Sequence, residues 1–303
     1  MRKITLLIVT TFVMSMYAYS QDVLMTVDEM NSVFKKENHP NKTVKAYASL
    51  RQADVMWSRT IWREIDLRKK INHPFYYPEN NGIAGAAVTA DRKSLIDVIY
   101  TAITEGSITA YDNAAMDDEF REPMTQDGIK RIGGAKQEYV ESTDWDKVIS
   151  GELTEEEATI QKLEITPFDR NTIKKWRLKE TWFFDKQRSV MDVRILGICP
   201  LQEGKDEVTG RLNGTYNPLF WVYFPEAREI LVNAEAFNLM KNDAERRTYD
   251  DIFWKRMFSS TITEEANVYD RKVNEFMIGL DALLEAERIK TEIFNIEHDL
   301  WEY

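Results

Sequence analysis

The side chains able to do chemistry are few and scattered. His39, His73 and His298 stand far apart, and none sits in an HExxH or other zinc-ligand spacing. The only cysteine, Cys199, cannot by itself supply the thiolates of a structural zinc site. It lies in "RILGICPL" among aliphatics, where a buried, inert thiol is expected rather than a nucleophile. No G-x-S-x-G turn presents a serine. "RIGGAKQ" lacks the glycine pattern and the Lys-Ser/Thr ending of a phosphate-cradling loop and reads as a turn. "DNAAMDDE" gathers Asp112, Asp117, Asp118 and Glu119 without the central glycine and spaced ligands of an EF-hand. Two carboxylates for glycan hydrolysis could come from Glu180 with Asp185 or Asp192, at a separation that only the fold sets. No catalytic, cofactor-binding or metal-binding residues are assigned.

What the chain has in surplus is aromatic side chains beside arginine, the residue types that dominate binding hot spots. Trp57, Trp62, Phe75, Tyr76, Tyr77, Trp182, Phe183, Phe184, Trp221, Tyr223, Trp254 and Trp301 must mostly build a core. Those off the core stripes are candidates for gripping another protein. The run "ADVMWSRTIWREIDLRKKINHPFYYP", residues 53–78, is the densest. As a helix it places Arg59, Arg63, Asp66 and Lys70 within an arc of about 60°. Its apolar residues then cover most of the remaining circumference, more than one core needs. Glu64 and Arg68 form an i,i+4 pair inside the apolar arc. A core helix with snorkelling charges is one reading; a helix buried on its second side by a partner is the other. Pro74 and Pro78 end it and leave Tyr76 and Tyr77 extended. The partner-binding candidates are Trp57, Ile61, Glu64, Arg68, Tyr76, Tyr77, Trp254 and Phe258.

The elements that must position these groups follow from periodicity. "SLIDVIYTAI" is a second helix, with Leu95, Ile96, Ile99 and Ile103 inward. Residues 111–137 are polar and turn-rich, and "TEEE" at Thr154–Glu157 spells a capping box for a short helix towards Lys162. From Trp176 the period changes to two. Leu178, Trp182 and Phe184 share one face, a turn follows near "DKQ", and Met191, Val193 and Ile195 alternate with polar residues, so a hairpin is expected. "QEGKDEVTGRLNGTYNP" reads as a long loop and "LFWVYF" as a strand covered on both faces. "TYDDIFWKRMF" is helical, leaving Trp254 and Phe258 off its inward side. Ala282, Ala286, Ile289, Ile293, Ile296 and Leu300 form a heptad seam, shared with another chain or packed on this chain's own core. A faint echo links "LIDVIYTAITEGSITAYD" with "YDDIFWKRMFSSTITEEANVYD".

Arg2 and Lys3, the apolar "ITLLIVTTFVM" and the small residues Ala18 and Ser20 make a secretory signal peptide, cut near Ser20/Gln21. The apolar run is short of the roughly 20 residues a membrane span requires. No cysteine at the cut allows lipid attachment. Removing residues 1–20 takes two positive charges and no acid, so the net charge goes from −11 to −13. An acidic exported chain is a poor nucleic-acid binder. The organisation expected is signal peptide 1–20, arm 21–52, a mainly helical part 53–170 and an α+β part 171–303. The fold class is α+β, with helices at both ends around a small antiparallel sheet.

"VMWSRTIWREIDLRKKINHPFYYP", "FFDKQRSVMDVRILGICPL", "LFWVYFPEAR" and "DDIFWKRMFSSTITEEANVYDR" together resemble the GldN/PorN family of gliding-motility and secretion proteins, over roughly residues 53–272. The resemblance implies a periplasmic subunit of the type IX secretion system with no enzymatic activity and no cofactor. It implies a ring of copies with the outer-membrane lipoprotein GldK/PorK, and contact with GldM/PorM. The paralogue GldO shares these motifs. The rival expectations are an exported glycan hydrolase with paired carboxylates and a carbohydrate-binding module with a planar aromatic row.

Overall fold

The computed structural model describes residues 42–78, 92–112, 118–143, 159–166, 168–205, 211–238, 246–269 and 271–299. The signal peptide, arm residues 21–41, His39, Asp117, the capping box, Leu300 and Trp301 lie outside them. Lys42–Tyr303 is one compact unit, with no division at residue 170.

The strands are β1 (Val55–Asp66), β2 (Ala110–Asp112), β3 (Lys136–Thr143), β4 (Thr159–Thr166), β5 (Ile173–Asp185), β6 (Val190–Lys205), β7 (Leu212–Pro218), β8 (Phe220–Tyr223) and β9 (Thr261–Glu265). The helices are α1 (His73–Tyr76), α2 (Leu95–Thr104), α3 (Gln126–Lys130), α4 (Phe224–Leu231), α5 (Tyr249–Trp254), α6 (Val273–Phe276) and α7 (Leu280–Asp299). A seven-stranded antiparallel sheet runs in the order β2, β8, β6, β5, β1, β9, with β7 also on β6; β3 and β4 make a separate ribbon. The class is α+β, as expected.

The hairpin forms where the period-two pattern put it, as β5 and β6. A bulge opposite Lys179 and Glu180 brings Ile195 and Ile198, three residues apart, into the same core. The expected Gly-rich loop is instead the end of β6 and all of β7 among the described residues.

The largest correction is residues 55–66, which form strand β1 and not a helix. Ile61, Arg63 and Ile65 are buried, and Trp62, Glu64 and Asp66 between them are less so. Spacings of four put Trp57, Ile61 and Ile65 on one face in both geometries, and arginines at the inward positions 59 and 63 hide the alternation. Nor are the described residues of 53–170 mainly helical, since β1, β2, β3 and β4 lie among them. Thr159–Thr166 is strand β4, where a helix towards Lys162 was expected.

One face of the sheet carries two cores. In the first, Ile65, Trp176, Leu178, Ile198 and Val222 meet α2, α4 and α5. Tyr249 of α5 is fully buried, its hydroxyl 2.7 Å from Lys93 O and 3.1 Å from Pro74 O. In the second, α7 lays Ala282, Ala286, Ile289 and Ile293 on Ile61 and Ile262, with Trp57 and Trp182 at its rim. The heptad seam is therefore used within the chain. On the opposite face Cys199, Leu201 and Trp221 pack with Trp62, Phe120 and Tyr216. Gly197 makes room there, since a Cβ would stand 2.5 Å from the Phe120 ring. The two echoing segments share a form: α2 leads into edge strand β2 and α5 into the opposite edge strand β9. Ile289→Ala should destabilise the chain by about 2–4 kcal/mol, read as a lower urea midpoint with early proteolysis of α7.

Candidate interaction surface

The eight candidate residues do not form one surface. Ile61 is fully buried beneath α7, so no partner can reach it, and Trp57 is half-buried in the same cluster under the Arg59 guanidinium. Phe258 is half-buried on Phe75 and Phe253. Trp254 stacks on Tyr47 of the arm at 5.2 Å. The arm is tied down by Arg194, which donates to Ala48 O at 2.6 Å, and by the buried Arg228, which lies over both rings while paired with Asp250 at 2.7 Å. Tyr77 is exposed beside a half-buried Tyr76. Glu64 and Arg68 are not partners: Arg68 clasps Asp66 at the strand end, at 2.7 and 3.0 Å.

Glu64 points to the opposite sheet face, where Arg177 and Lys175 donate to it at 2.8 and 3.1 Å. Neighbouring Lys179 reaches Asp118 at 3.0 Å, and Trp62 Nε1 donates to the same carboxylate. Lys175 also lies over the Tyr216 ring and Lys179 over Trp62. This face is a closed lattice of cations, acids and rings.

The deepest charge is Glu180, in mid-strand β5 and wholly buried. Arg63 Nε, from β1, lies 3.1 Å from its Oε2 without a well-directed hydrogen bond. Arg256 Nη2 lies 3.0 Å from Oε1, and Trp182 Nε1 donates to Oε2 at 3.2 Å. Burial pulls the Arg63 guanidinium below its ordinary value, against the opposing charge of Glu180. Arg256 ends α5 in a Schellman turn: Met257 N donates to Ile252 O at 2.9 Å and Arg256 N to Phe253 O at 3.1 Å. Its φ is +52°, where glycine is the ordinary occupant. No pattern flagged this residue, although the missing glycine after "DDIFW" was a signal.

Two of the three acids weighed for a hydrolase are engaged within the fold. Glu180 is sealed between two guanidiniums, and Asp185 is bound by Arg188 at 2.7 Å and by the Gln187 amide at 2.9 Å. Burial pushes the Cys199 thiol up to about 12, which keeps it protonated and unreactive. Among the described residues no cluster of His, Cys, Asp and Glu could hold a metal ion.

Exposed apolar side chains such as Met56, Ile71, Val268 and Tyr269 are spread over several elements, but α7 gathers four on one helix, which the aromatic reasoning overlooked. Leu280, Leu283, Leu284 and Phe294 are 69%, 57%, 60% and 63% exposed. At 100° per residue they fall within an arc of about 100°, roughly opposite the buried seam. Ile278, just before the helix, is also exposed. The inward face uses alanine at 282 and 286, while the bulky leucines face out.

Glu180→Ala leaves two inward guanidiniums without their counter-ion and should cost about 3–5 kcal/mol. Arg256→Gly should be more stable than Arg256→Ala by about 1 kcal/mol, since only glycine relieves the turn. Urea unfolding of the three variants checks both statements. Burial pushes the Glu64 carboxyl up, but Arg177 and Lys175 outweigh it and hold the group below the usual carboxylate range. Its contribution to stability is therefore full above the unfolded value of about 4.3 and is lost as pH falls through the lower folded value. Glu64→Gln should lower stability at neutral pH and flatten its loss as pH falls below about 4.3, measured by urea titration.

Comparison with curated proteins gives no match. The family profile described as "Gliding motility associated protein GldN" matches residues 50–302, which include every described strand and α-helix. The sheet, its buried charges and the two-faced C-terminal helix are thus features of a chain that belongs to the GldN family of gliding motility associated proteins.

Proposed function

We propose that this chain is a non-enzymatic structural subunit of the gliding and type IX secretion machinery. It forms a periplasmic ring with a lipoprotein of the GldK/PorK kind and contacts the periplasmic part of a GldM/PorM-like protein. The observation that carries the reading is the outward stripe of α7. Leucines and a phenylalanine at more than half exposure are an expensive surface for a lone chain and a usual one for an assembly component. α7 is also seated on the sheet by its alanine seam, which presents the stripe on a fixed platform. α7 carries six acids, Asp281, Glu285, Glu287, Glu292, Glu297 and Asp299, against Arg288 and Lys290, so its net charge favours a neighbour with cationic residues around an apolar centre and disfavours an anionic membrane surface.

Export by the signal peptide cut near Ser20/Gln21 would deliver the chain to the periplasm. Its hold on the outer membrane would come from the lipid on its partner. Among the described residues no helix is long and apolar enough to cross a membrane.

Leu283→Lys with Leu284→Lys tests the reading, because both positions are exposed and the fold does not need them. The variant should keep the circular dichroism and melting temperature of the parent while its association with the lipoprotein partner weakens about tenfold or more. Undiminished co-purification and normal rings would remove α7 from the interface.

A further inference from the structure

Between α7 and the segment joining α5 to β9 lies a cleft of about 560 Å³. Four cations line it: Arg63, Lys69, Arg256 and Lys290. Two carboxylates oppose them, Glu287, 2.9 Å from Lys290, and Glu180, which underlies the cleft between Arg63 and Arg256. Four positive charges against two negative ones leave a local excess of two, in a chain whose net charge is −11. A cationic hollow of this kind is not what the composition would produce by chance spread.

The hollow is also built rather than incidental. The Arg63 side chain is 9% exposed, faces the cleft, and its Nε has no well-directed acceptor. The wall holding Ser259 and Ser260 is pinned by fully buried Asn72, whose amide nitrogen donates to Ser259 O at 2.8 Å while its oxygen accepts from Ser259 N at 2.9 Å. Lys69 Nζ reaches Ser259 Oγ at 3.3 Å. Arg256 is held in its left-handed turn with its guanidinium over both Trp182 and Phe258. Guanidinium, ammonium and hydroxyl donors around one hollow are the groups that bind phosphate oxygens.

We propose that this cleft binds a phosphate monoester, whose charge of about −1.5 to −2 at neutral pH matches the local excess of two. Leu283 and Ile262 on the cleft wall would take an apolar portion of the same ligand. The phosphate belongs either to a soluble phosphorylated compound or to a lipid headgroup, and the chemistry of recognition is the same for both.

The mature chain is titrated with inorganic phosphate and, separately, with chloride at matched ionic strength, followed by calorimetry and by thermal shift. Phosphate should bind and raise the melting temperature where chloride does not. Lys69→Ala with Lys290→Ala, both exposed, should keep the fold, because Glu180 is held by Arg63 and Arg256, and should weaken phosphate binding about tenfold or more. Leu280→Lys with Leu284→Lys, neither of which lines the cleft, distinguishes this site from the assembly surface, because it should weaken partner association without weakening phosphate binding. Co-sedimentation with phosphatidic acid vesicles, absent with phosphatidylcholine and competed by phosphate, would assign the lipid source. Phosphate binding without co-sedimentation would assign the soluble one. A phosphate response no greater than that of chloride, or a Lys69/Lys290 variant that binds like the parent, would overturn the site.

Discussion

Removing a carboxylate from water costs several kcal/mol unless cations and hydrogen bonds replace the lost solvation, and Glu180 sits in the middle of the central sheet with no exposure at all. Its replacements come from three separate places: Arg63 on the neighbouring strand, Arg256 beyond the end of α5, and Trp182 two residues along the same strand. Sliding β1 against β5 by one residue would swing Arg63 to the other face and strand the charge. Letting α5 end elsewhere would withdraw Arg256. The carboxylate thus ties strand register to helix docking, a specificity that a patch of leucines would not impose. The left-handed backbone at Arg256 fits the same account. Its strain of about 1 kcal/mol is small beside an unpaired buried charge.

That cluster also divides the covered face of the sheet. Above it lie the helices of the larger core, below it the alanine seam of α7, and neither core alone spans the strands. The opposite face solves a different problem. No long helix contributes to its cluster, and Trp62, Phe120 and Tyr216 are covered in part by the stems of Lys175 and Lys179. The ion pairs of this face are part-buried, so solvent screens them less than exposed ones. Their value here is to hold cationic side chains over rings while Glu64 and Asp118 neutralise them.

Where local periodicity has one geometric meaning, the sequence could be read directly. The β5–β6 hairpin, the covered strand β8, the helices α2 and α5, and the alanine and isoleucine seam of α7 all follow from spacing alone. It failed at β1, because Trp57, Ile61 and Ile65 satisfy a helix as well as a strand and because inward arginines look like a solvated face. Arginine in a core is intelligible only beside its acid, and Glu180 lies more than a hundred residues away in sequence. The candidate surface suffered from the same long-range blindness. Trp57, Ile61, Trp254 and Phe258 appeared surplus to their own elements and were in fact absorbed by α7, by the Tyr47 arm and by Phe75. Leu280, Leu283 and Leu284 were passed over because aliphatics near a seam look like part of it. Separating the two stripes needed only the helical angle.

The two faces of α7 are mechanically linked. Its alanines let the helix approach the sheet closely, and its seam residues form the roof beside the Arg63, Glu180 and Arg256 cluster. Lifting α7 would therefore expose Ile61 and Ile262 and admit water towards the buried charges, a loss in both hydrophobic burial and electrostatics. A partner that grips the outward leucines pulls against that combined resistance rather than against a loosely attached tail. Rigid seating also lowers the conformational cost of association, because the leucines are already ordered before contact. In the assembly proposed above, a helix clamped on one face and gripped on the other would transmit force into the central sheet, whereas a surface loop bearing the same leucines would stretch.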